Sequence, residues 1–341
     1  MLKHGGNLRQ AAEQYKIPLD RWIDLSTGIN PNGWPVAAVS AESWLHLPQA
    51  QDGLEQAARD YYQASHVLPV AGSQAAIQAL PILRSCARVG MLSTAYAEHE
   101  HNWSRYGHTV VHVSPQDIES CLAELDVLLL VNPNNPTGQT YSTDTLLDWH
   151  RQLAKRDGWL ILDEAFMDST PQQSLARFTD RQGLIVLRSL GKFFGLAGAR
   201  CGFVLATVEM LDSLKELLGP WTVSGPTREV AGRVLADTQW QEASRQELNE
   251  QGERLKQLLN CYSLEPDGGT SLFQWLQHPQ ALRIHQELAR KGIWTRYFEQ
   301  PASLRFGLPA TERQWSVLQQ ALQEIMNTIN QREEMNETLL L

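Results

Sequence analysis

A lysine bracketed by a hydroxyl and a guanidinium is the feature of this sequence best suited to covalent chemistry. Lys192 follows the apolar run Leu184–Leu187, which predicts a buried strand. The loop at the carboxyl end of such a strand is where open α/β sheets hold ligands. Gly191 and two phenylalanines beside the lysine favour the dehydrated, neutral amine that attacks a carbonyl, while Ser189 and Arg200 suit a phosphate. The pattern favours a ligand with an aldehyde and a phosphate, as in pyridoxal 5′-phosphate, with an ordinary surface lysine as the alternative.

Two acceptor or amide side chains follow other predicted buried strands. The run Val127–Val131 is continuously apolar and leads into Asn-Pro-Asn-Asn-Pro-Thr-Gly, whose two prolines fix an extended loop that aims Asn135. Asp163 ends the next apolar run, and a buried carboxylate there requires a cationic or hydrogen-bonding partner. A protonated pyridine nitrogen would supply that partner, although an aspartate that caps the next turn is the alternative.

A glycine turn and an aromatic side chain add to these candidates. Gly72, Ser73 and Gln74 stand between a short predicted strand and a predicted helix, where free N–H groups and the helix dipole favour a phosphate. The same residues also make a good helix cap with no ligand. Tyr96 follows a further predicted strand and could stack on a flat ring, although an isolated tyrosine more often packs in a core.

Candidates for a second anionic site lie near the two ends of the chain. Arg305 lies on a predicted strand and suits a bidentate carboxylate clamp, although a solvent-facing arginine is the commoner case. Near the start, Gly5-Gly6-Asn7 and Gly28-Ile29-Asn30 would let backbone amides approach a ligand, as an arm over an active site would. A plain leader segment is the other interpretation of these residues.

The composition predicts a globular protein and argues against nucleic-acid and membrane partners. The 341 residues suggest about two domains. With 29 basic and 38 acidic residues, the net charge is 29 − 38 = −9, which argues against a nucleic-acid or anionic-membrane surface. The four scattered cysteines form no CxxC pair, so no metal site is predicted. Because no apolar signal core or membrane-length run is present, a cytoplasmic location is expected.

Alternating apolar runs and helical periodicities place these residues on an α/β framework. A mostly parallel sheet with helices on both faces is expected for the larger part, and a smaller α+β domain follows a long polar helix. The predicted division is an N-terminal arm, residues 1–34, that joins the small domain and covers the active site, a large ligand-binding domain, residues 35–235, and a C-terminal small domain, residues 236–341.

The order and spacing of these motifs resemble the fold-type-I pyridoxal-phosphate enzymes of the aspartate aminotransferase superfamily. The resemblance covers essentially the whole chain and is carried by Asn-Pro-Thr-Gly, Asp-Glu-Ala-Phe and Ser-Leu-Gly-Lys-Phe-Phe-Gly. It implies that Lys192 binds the cofactor covalently, Asp163 pairs with its ring nitrogen, and Asn135 bonds its phenolic oxygen. Tyr96 would stack on the ring. The implied phosphate ligands are Gly72, Ser73, Gln74, Ser189 and Arg200.

The chain departs from that superfamily at two aromatic positions. Relatives commonly carry a tyrosine in place of Phe166, so support for the phenolic oxygen is in doubt. Histidinol-phosphate aminotransferases also have a Tyr-Pro pair that reaches the partner subunit, and the nearest match is Leu47-Pro48. A homodimer is the superfamily's expectation.

The opening of the chain resembles a narrower subgroup, the threonine-phosphate decarboxylases of cobalamin biosynthesis. The resemblance rests on His-Gly-Gly-Asn at residues 4–7 and Asp-Leu-Ser-Thr-Gly-Ile-Asn-Pro at residues 24–31. It implies a carbon–carbon lyase that acts on a small phosphorylated amino acid, L-threonine O-3-phosphate, with Arg305 as the carboxylate clamp. The candidate substrate ligands are His4, Asn7, Gly28, Asn30, Arg296 and Arg305. An aminotransferase of the histidinol-phosphate type and a non-catalytic assembly component of the same fold remain alternatives.

Overall fold

Two compact units make up the chain. The computed structural model describes residues 4–340, with side chains described as far as residue 329. The larger unit is Gly33–Gln246, and the smaller unit combines the described residues up to Asn32 with those from Glu247 onward. The predicted domain boundaries, after residues 34 and 235, stay a prediction. The first three residues of the predicted N-terminal arm lie outside the described residues.

Thirteen strands and twelve α-helices are assigned within residues 4–340. The strands are β1 (Ile23–Asp24), β2 (Val67–Val70), β3 (Arg88–Leu92), β4 (Thr109–Val113), β5 (Val127–Val131), β6 (Trp159–Asp163), β7 (Leu184–Ser189), β8 (Gly202–Leu205), β9 (Gly268–Thr270), β10 (Phe273–Gln277), β11 (Ile293–Trp294), β12 (Arg296–Phe298) and β13 (Ser303–Gly307). The helices are α1 (Leu8–Tyr15), α2 (Glu42–Leu45), α3 (Leu54–Tyr62), α4 (Ser73–Ala79), α5 (Ala97–Arg105), α6 (Ile118–Cys121), α7 (Thr143–Ala154), α8 (Val208–Leu218), α9 (Gly225–Ala236), α10 (Thr238–Asn260), α11 (Ala281–Arg290) and α12 (Glu312–Leu340).

A seven-stranded sheet forms the centre of the larger unit, in the order β2-β8-β7-β6-β5-β3-β4. Strands β4, β3, β5, β6 and β7 are parallel, and β8 runs antiparallel to both of its neighbours. Leu129 and Ile161 share one core cluster with residues of α4, α5 and α8. Leu128 and Leu160 are equally buried and alternate to the other face, since successive side chains of a strand point to opposite sides. Burial on both faces is why these strands are apolar throughout.

The central strands make a direct prediction about stability. Leu160 lies in β6 and is fully buried, so Leu160→Ala leaves a cavity and is expected to lower the free energy of unfolding by about 2–5 kcal/mol. Leu217→Ala, on the exposed side of α8, is the matched control and should change it by less than about 0.5 kcal/mol. Urea denaturation measures both, and equal effects would contradict the assigned position of β6.

The smaller unit contains a four-stranded antiparallel sheet, in the order β12-β13-β10-β9, and a parallel pair, β1-β11. Two runs with the composition of single strands are each divided. Residues 270–276 contain a hairpin turn between β9 and β10, because the Thr270 hydroxyl accepts a hydrogen bond from Leu272 N and closes the turn. Residues 292–298 break at Thr295, so β11 and β12 join different sheets.

Candidate active site

The carboxyl ends of three parallel strands meet at one edge of the large sheet. In the strand register, Val131 at the end of β5 pairs with Asp163 at the end of β6, which pairs with Leu187 of β7. Ser189 ends β7 two residues later and lies on the same face of the sheet as Asp163. The loops that carry Asn135 and Lys192 therefore leave the sheet along this edge.

Lys192 lies in the loop after β7, as the sequence predicts. Its Nζ atom stands 5.2 Å from the centre of the Phe166 ring, and the side chain is half-buried. Phe193 and Phe194, which follow it, are fully buried and anchor the loop in the core of the larger unit. Phe166 is 2% exposed and presents an apolar face to the amine, without the hydroxyl of a tyrosine.

A close-fitting cradle lies where β8 meets the start of α4. A Cβ atom on Gly72 would lie 2.7 Å from Nη2 of Arg200, and one on Gly202 would lie 2.5 Å from the Ser73 backbone nitrogen. Gly72 also has a φ of +73°, a left-handed conformation that favours glycine. The hydroxyl of Ser189 accepts a hydrogen bond from Gly191 N at 3.2 Å. Two glycines thus let a guanidinium and a backbone amide approach closely, as a phosphate site requires.

Asp163 has a partner that the sequence analysis missed. His99 of α5 places its Nε2 atom 2.9 Å from Oδ2 of Asp163, and both side chains are buried. The other carboxylate oxygen accepts the Ala165 backbone N–H at 3.1 Å. His99 stands three residues after Tyr96, but the sequence of α5 is polar and predicted neither the helix nor this contact. The buried carboxylate of Asp163 thus has hydrogen-bond partners within the protein on both of its oxygens.

Tyr96 lies directly before α5, next to Gln74 and His99. Its hydroxyl lies 3.5 Å from Oε1 of Gln74, and its ring meets that of His99 edge-on at 6.0 Å. Burial raises the pKa of Tyr96 to about 12, and the nearby charges of Glu98 and Asp163 add to that rise. The phenol therefore stays neutral at physiological pH, and its ring is held at the mouth of the sheet.

The loop that carries Asn135 is tied to its neighbour. The side-chain amide of Asn134 donates to the Thr94 carbonyl oxygen at 2.8 Å and to the Thr137 hydroxyl at 2.8 Å. Asn135, the next residue, is half-buried. The loops after β3 and β5 are thus joined by hydrogen bonds, which fixes the backbone that presents Asn135.

The predicted carboxylate clamp is buried in the smaller unit. Arg305 is 6% exposed, its Nη2 donates to the Ser26 carbonyl oxygen at 2.8 Å, and its guanidinium lies over the Phe273 ring. Arg296 lies directly opposite it in the β12–β13 pair. Burial and the charge of Arg296 lower the pKa of Arg305 to about 10, against the opposing effect of Asp24. Two adjacent arginines, one buried and one half-buried, make this part of the smaller unit attractive to an anion.

Three of the predicted substrate ligands share one cavity of the smaller unit. A cavity of about 640 Å³ is lined by His4, Asn7 and Arg296, together with Ser26 and His285. Burial and the charge of Arg296 lower the pKa of His285 to about 4, so this imidazole is neutral at pH 7.

Two other predicted substrate ligands are placed differently. Gly28 and Asn30 are buried and are not among the described residues that line this cavity. The Oδ1 atom of Asn30 accepts the backbone N–H of Asn32 at 2.9 Å. The structure thus groups His4, Asn7 and Arg296, and it leaves Gly28 and Asn30 apart from that cavity.

Within residues 4–340, no helix is long and apolar enough to cross a membrane. Within the same part of the chain, no three histidine, cysteine or acidic residues are grouped as metal ligands would be.

A lysine in an apolar loop, an acid at a neighbouring strand end and a cradle for a phosphate define a pyridoxal-phosphate enzyme of fold type I. Residues 21–325 match the model of the family described as "Aminotransferase class I and II", and the chain belongs to this family. The predicted fold class and the predicted cofactor, pyridoxal 5′-phosphate, are thereby confirmed. The tight approach of Arg200 and Ser73 to glycines fits the cofactor's phosphate.

The chain is similar along nearly its whole length to proteins named threonine-phosphate decarboxylase. One, from Pseudomonas aeruginosa, is 55% identical over 94% of this chain and 97% of the relative. Another, from a Sinorhizobium species, is 40% identical over 89% of this chain and 92% of the relative. Among solved structures, a histidinol-phosphate aminotransferase from Sinorhizobium meliloti in complex with pyridoxal 5′-phosphate superposes with a TM-score of 0.83 at 20% identity, over 96% of each chain.

Proposed function

We propose that this chain catalyses the decarboxylation of L-threonine O-3-phosphate to (R)-1-amino-2-propanol O-2-phosphate and CO₂, in cobalamin biosynthesis. The observation that carries the proposal is the 55% identity to a relative named threonine-phosphate decarboxylase, over almost the full length of both chains. The aminotransferases that share the fold are more distant in sequence. The site residues of the larger unit fit a reaction of this cofactor class.

The larger unit holds the cofactor and supplies the proton-transfer group. When bound, pyridoxal phosphate supplies an electron-accepting ring and weakens whichever bond of the substrate's Cα stands perpendicular to the ring plane. Lys192 would hold the aldehyde carbon, Arg200 and Ser189 would hold the phosphate with Gly72, Ser73 and Gln74, and Asp163 would keep the ring nitrogen protonated. Asn135 would bond the phenolic oxygen, and Tyr96 would cover the ring. Lys192, or a water, would return a proton to Cα.

The choice of bond is the task of groups that orient the substrate. An aminotransferase aligns the Cα–H bond with the electron-accepting direction, whereas a decarboxylase aligns the bond to the carboxylate. Arg305 is the proposed carboxylate clamp, since a buried guanidinium binds a carboxylate through two parallel hydrogen bonds. Positioning of this kind changes rates by several orders of magnitude, because the bound substrate has already lost the translational and rotational freedom that opposes the reactive geometry.

The direct test measures CO₂ release from L-threonine O-3-phosphate by the protein loaded with pyridoxal phosphate. Histidinol phosphate with 2-oxoglutarate runs in parallel. CO₂ from the phosphorylated threonine, with no glutamate from the second mixture, is the expected result. Glutamate without CO₂ would replace the proposal by an aminotransferase of the histidinol-phosphate type. Neither product from a protein that shows the cofactor's visible absorbance would favour the non-catalytic assembly component.

The cavity of the smaller unit leads to a prediction about the substrate phosphate. His4 and Arg296 both line it, and charge-assisted hydrogen bonds to a phosphate contribute about 1.5–3 kcal/mol each. His4→Ala and Arg296→Gln are each expected to raise the KM for L-threonine O-3-phosphate about tenfold or more. Initial-rate kinetics measures this change.

An arginine elsewhere in the smaller unit provides the control. Arg290 is an exposed residue of α11 that pairs with Glu287, and Arg290→Gln should leave KM unchanged. An unchanged KM in both cavity variants would remove the cavity from the proposal. Asn30→Ala, which alters a residue outside the cavity, tests whether the N-terminal segment acts through a different contact.

The proposal includes a cytoplasmic homodimer, as the sequence analysis expects, with the N-terminal arm as the active-site cover. Support for self-association comes from the larger unit, where Trp44, Leu45 and Leu47 are 71%, 77% and 64% exposed in one short segment. Clustered exposed apolar side chains mark interaction surfaces. Light scattering on the purified protein tests the dimer by comparison with twice the chain mass of 38.4 kDa.

A further inference from the structure

Two carboxylates and one guanidinium form a buried cluster in the larger unit. We call Glu164, Asp168 and Arg188 the buried ion triad. Nη1 of Arg188 donates to Oε2 of Glu164 at 2.7 Å, and Nη2 donates to Oδ1 of Asp168 at 2.5 Å. The side chains are 1% exposed for the arginine and 0% for both acids. The proposed reaction gives these three charges no direct part.

The triad shares its backbone with residues that hold the cofactor. Glu164 directly follows Asp163, and Arg188 directly precedes Ser189. The two chain segments are hydrogen-bonded, since Glu164 N donates to the Leu187 carbonyl oxygen at 2.9 Å. Successive side chains of a strand alternate between faces, so Glu164 and Arg188 point away from the face that carries Asp163 and Ser189. A shift of Glu164 is therefore transmitted through the backbone to Asp163, and a shift of Arg188 to Ser189.

The triad also closes the turn that carries Phe166. Glu164 and Asp168 stand at the two ends of this turn, which is hydrogen-bonded from Met167 N to the Glu164 carbonyl oxygen at 3.0 Å. Phe166 lies midway, with the Nζ atom of Lys192 5.2 Å from its ring centre. Because Arg188 bonds both ends of the turn, it fixes the Phe166 ring relative to the strand that leads to the lysine.

A second set of contacts links Asp168 to the residues after the lysine. The Tyr61 hydroxyl donates to Oδ1 of Asp168 at 3.1 Å, and Arg245 donates to both the Tyr61 oxygen and the Asp168 carbonyl oxygen. The Arg245 guanidinium lies 5.4 Å from the centre of the Phe193 ring, and the Tyr61 ring packs against Phe194 at 5.6 Å. The lysine loop is thus connected to the triad from both of its ends.

Stability alone does not account for such a cluster. Buried ion pairs are often no more stabilising than apolar residues of similar size, because removing the charges from water is costly. Burial raises the pKa of Glu164, although Arg188 and the Ser174 hydroxyl oppose this rise. Glu164 also accepts hydrogen bonds from Ser174 and from the Leu175 backbone N–H. So many directional bonds to one carboxylate define its position more sharply than apolar packing would.

We propose that Arg188 is a positioning residue for the cofactor site: by joining Glu164 to Asp168 it sets the placement of Lys192 relative to Phe166 and Asp163. The inference rests on the proposed function only in that Lys192 must hold pyridoxal phosphate. It does not depend on which substrate the enzyme uses. Among the described side chains, the hydrogen bonds of Arg188 are to Glu164, Asp168 and Ser174, so its effect is exerted through the carboxylates of Glu164 and Asp168.

The test compares Arg188→Lys with a matched substitution at another paired arginine. Arg228 is also largely buried and also bonds two carboxylates, those of Asp52 and Glu55. A lysine keeps the charge but cannot bridge two carboxylates with a planar fork. In the full chain loaded with pyridoxal phosphate, three quantities are measured: the pH midpoint of the cofactor's visible absorbance, kcat and KM for L-threonine O-3-phosphate, and the thermal unfolding midpoint.

Arg188→Lys is expected to move the absorbance midpoint by at least about half a pH unit. It should lower kcat about ten- to a hundredfold with KM within about twofold, because small misplacements of reacting groups have effects of this size. Arg228→Lys should lower the thermal midpoint without changing absorbance or kcat. Glu164→Gln, which removes the charge but keeps one of the two oxygens that accept hydrogen bonds from Ser174 and Leu175, is the milder second variant and should shift absorbance in the same direction.

A fall in thermal midpoint with unchanged absorbance midpoint and kcat in Arg188→Lys would overturn the proposal, since the triad would then be only structural. If that variant does not fold, unchanged absorbance in Glu164→Gln overturns it equally. The absorbance measurement needs no substrate. If the wild-type protein releases no CO₂ but the absorbance shifts occur, the proposed substrate is wrong and the positioning role stands.

Discussion

Lys192→Ala is expected to abolish both the visible absorbance of the bound cofactor and CO₂ release. The alanine has no amine to bind the aldehyde and none to return a proton to Cα, and a water in its place is a poorer and less well positioned proton donor. General acid–base groups alone contribute about 10²–10⁴-fold, so the loss in kcat should be at least about 10³-fold when both roles are removed. Absorbance spectroscopy and CO₂ release on the same preparation measure the two effects together.

Lys155→Ala provides the control for this substitution. Lys155 is an exposed residue at the end of α7 in the same unit, so its loss removes a lysine without touching the lysine loop. It should retain full absorbance and activity. Normal absorbance in Lys192→Ala would mean that another amine holds the cofactor, and the assignment of Lys192 would be wrong.

The parts of the fold that could be predicted are those whose sequence pattern follows from burial. Val127–Val131 and Leu184–Leu187 lie in the middle of a sheet covered on both faces, and their continuous apolar runs indicate this directly. Strand ends then identify Asp163 and Lys192, because function in such sheets lies where the strands stop. The strand prediction is confirmed because each signal was local to a short segment, whereas the chemical roles of Asp163 and Lys192 stay predictions.

The parts that could not be predicted depend on contacts between distant segments. His99 meets Asp163 across 64 residues, and α5, which presents it, carries the polar sequence Ala-Glu-His-Glu-His-Asn that gives no clear apolar stripe. Arg188 lies inside an apolar strand, and its buried charge is balanced by Glu164 and Asp168, which are 24 and 20 residues away in the sequence. Sequence alone does not show which of several charged residues form such pairs.

The smaller unit shows a second kind of limit. The run from Gly292 to Phe298 has the composition of a single strand, yet Thr295 bonds His285 through its hydroxyl and the chain changes sheets there. A local pattern reports strand propensity but not the sheet that a strand joins. Grouping of His4, Asn7 and Arg296 around one cavity likewise required the folded chain, since these residues lie near opposite ends of the sequence.

Asp163→Asn is expected to lower kcat about 10²–10³-fold while the protein still folds and binds pyridoxal phosphate. The substitution keeps the size of the side chain and an oxygen for the Ala165 N–H, but it removes the negative charge proposed to keep the ring nitrogen protonated. Removal of one preorganised electrostatic group from an active site has an effect of this magnitude. His99, at 2.9 Å, can bond an amide as well as a carboxylate, so the local structure should persist.

The size of this effect distinguishes two roles for the carboxylate. If Asp163 served only to hold His99 and the turn after β6, an isosteric amide would preserve most of the rate, and the loss would appear in the thermal unfolding midpoint instead. If it holds the ring nitrogen, Asp163→Glu, which restores the charge on a longer side chain, should recover part of the activity lost in Asp163→Asn. CO₂ release by both variants, with cofactor content measured by absorbance, decides between these roles, because only the second makes the rate follow the charge.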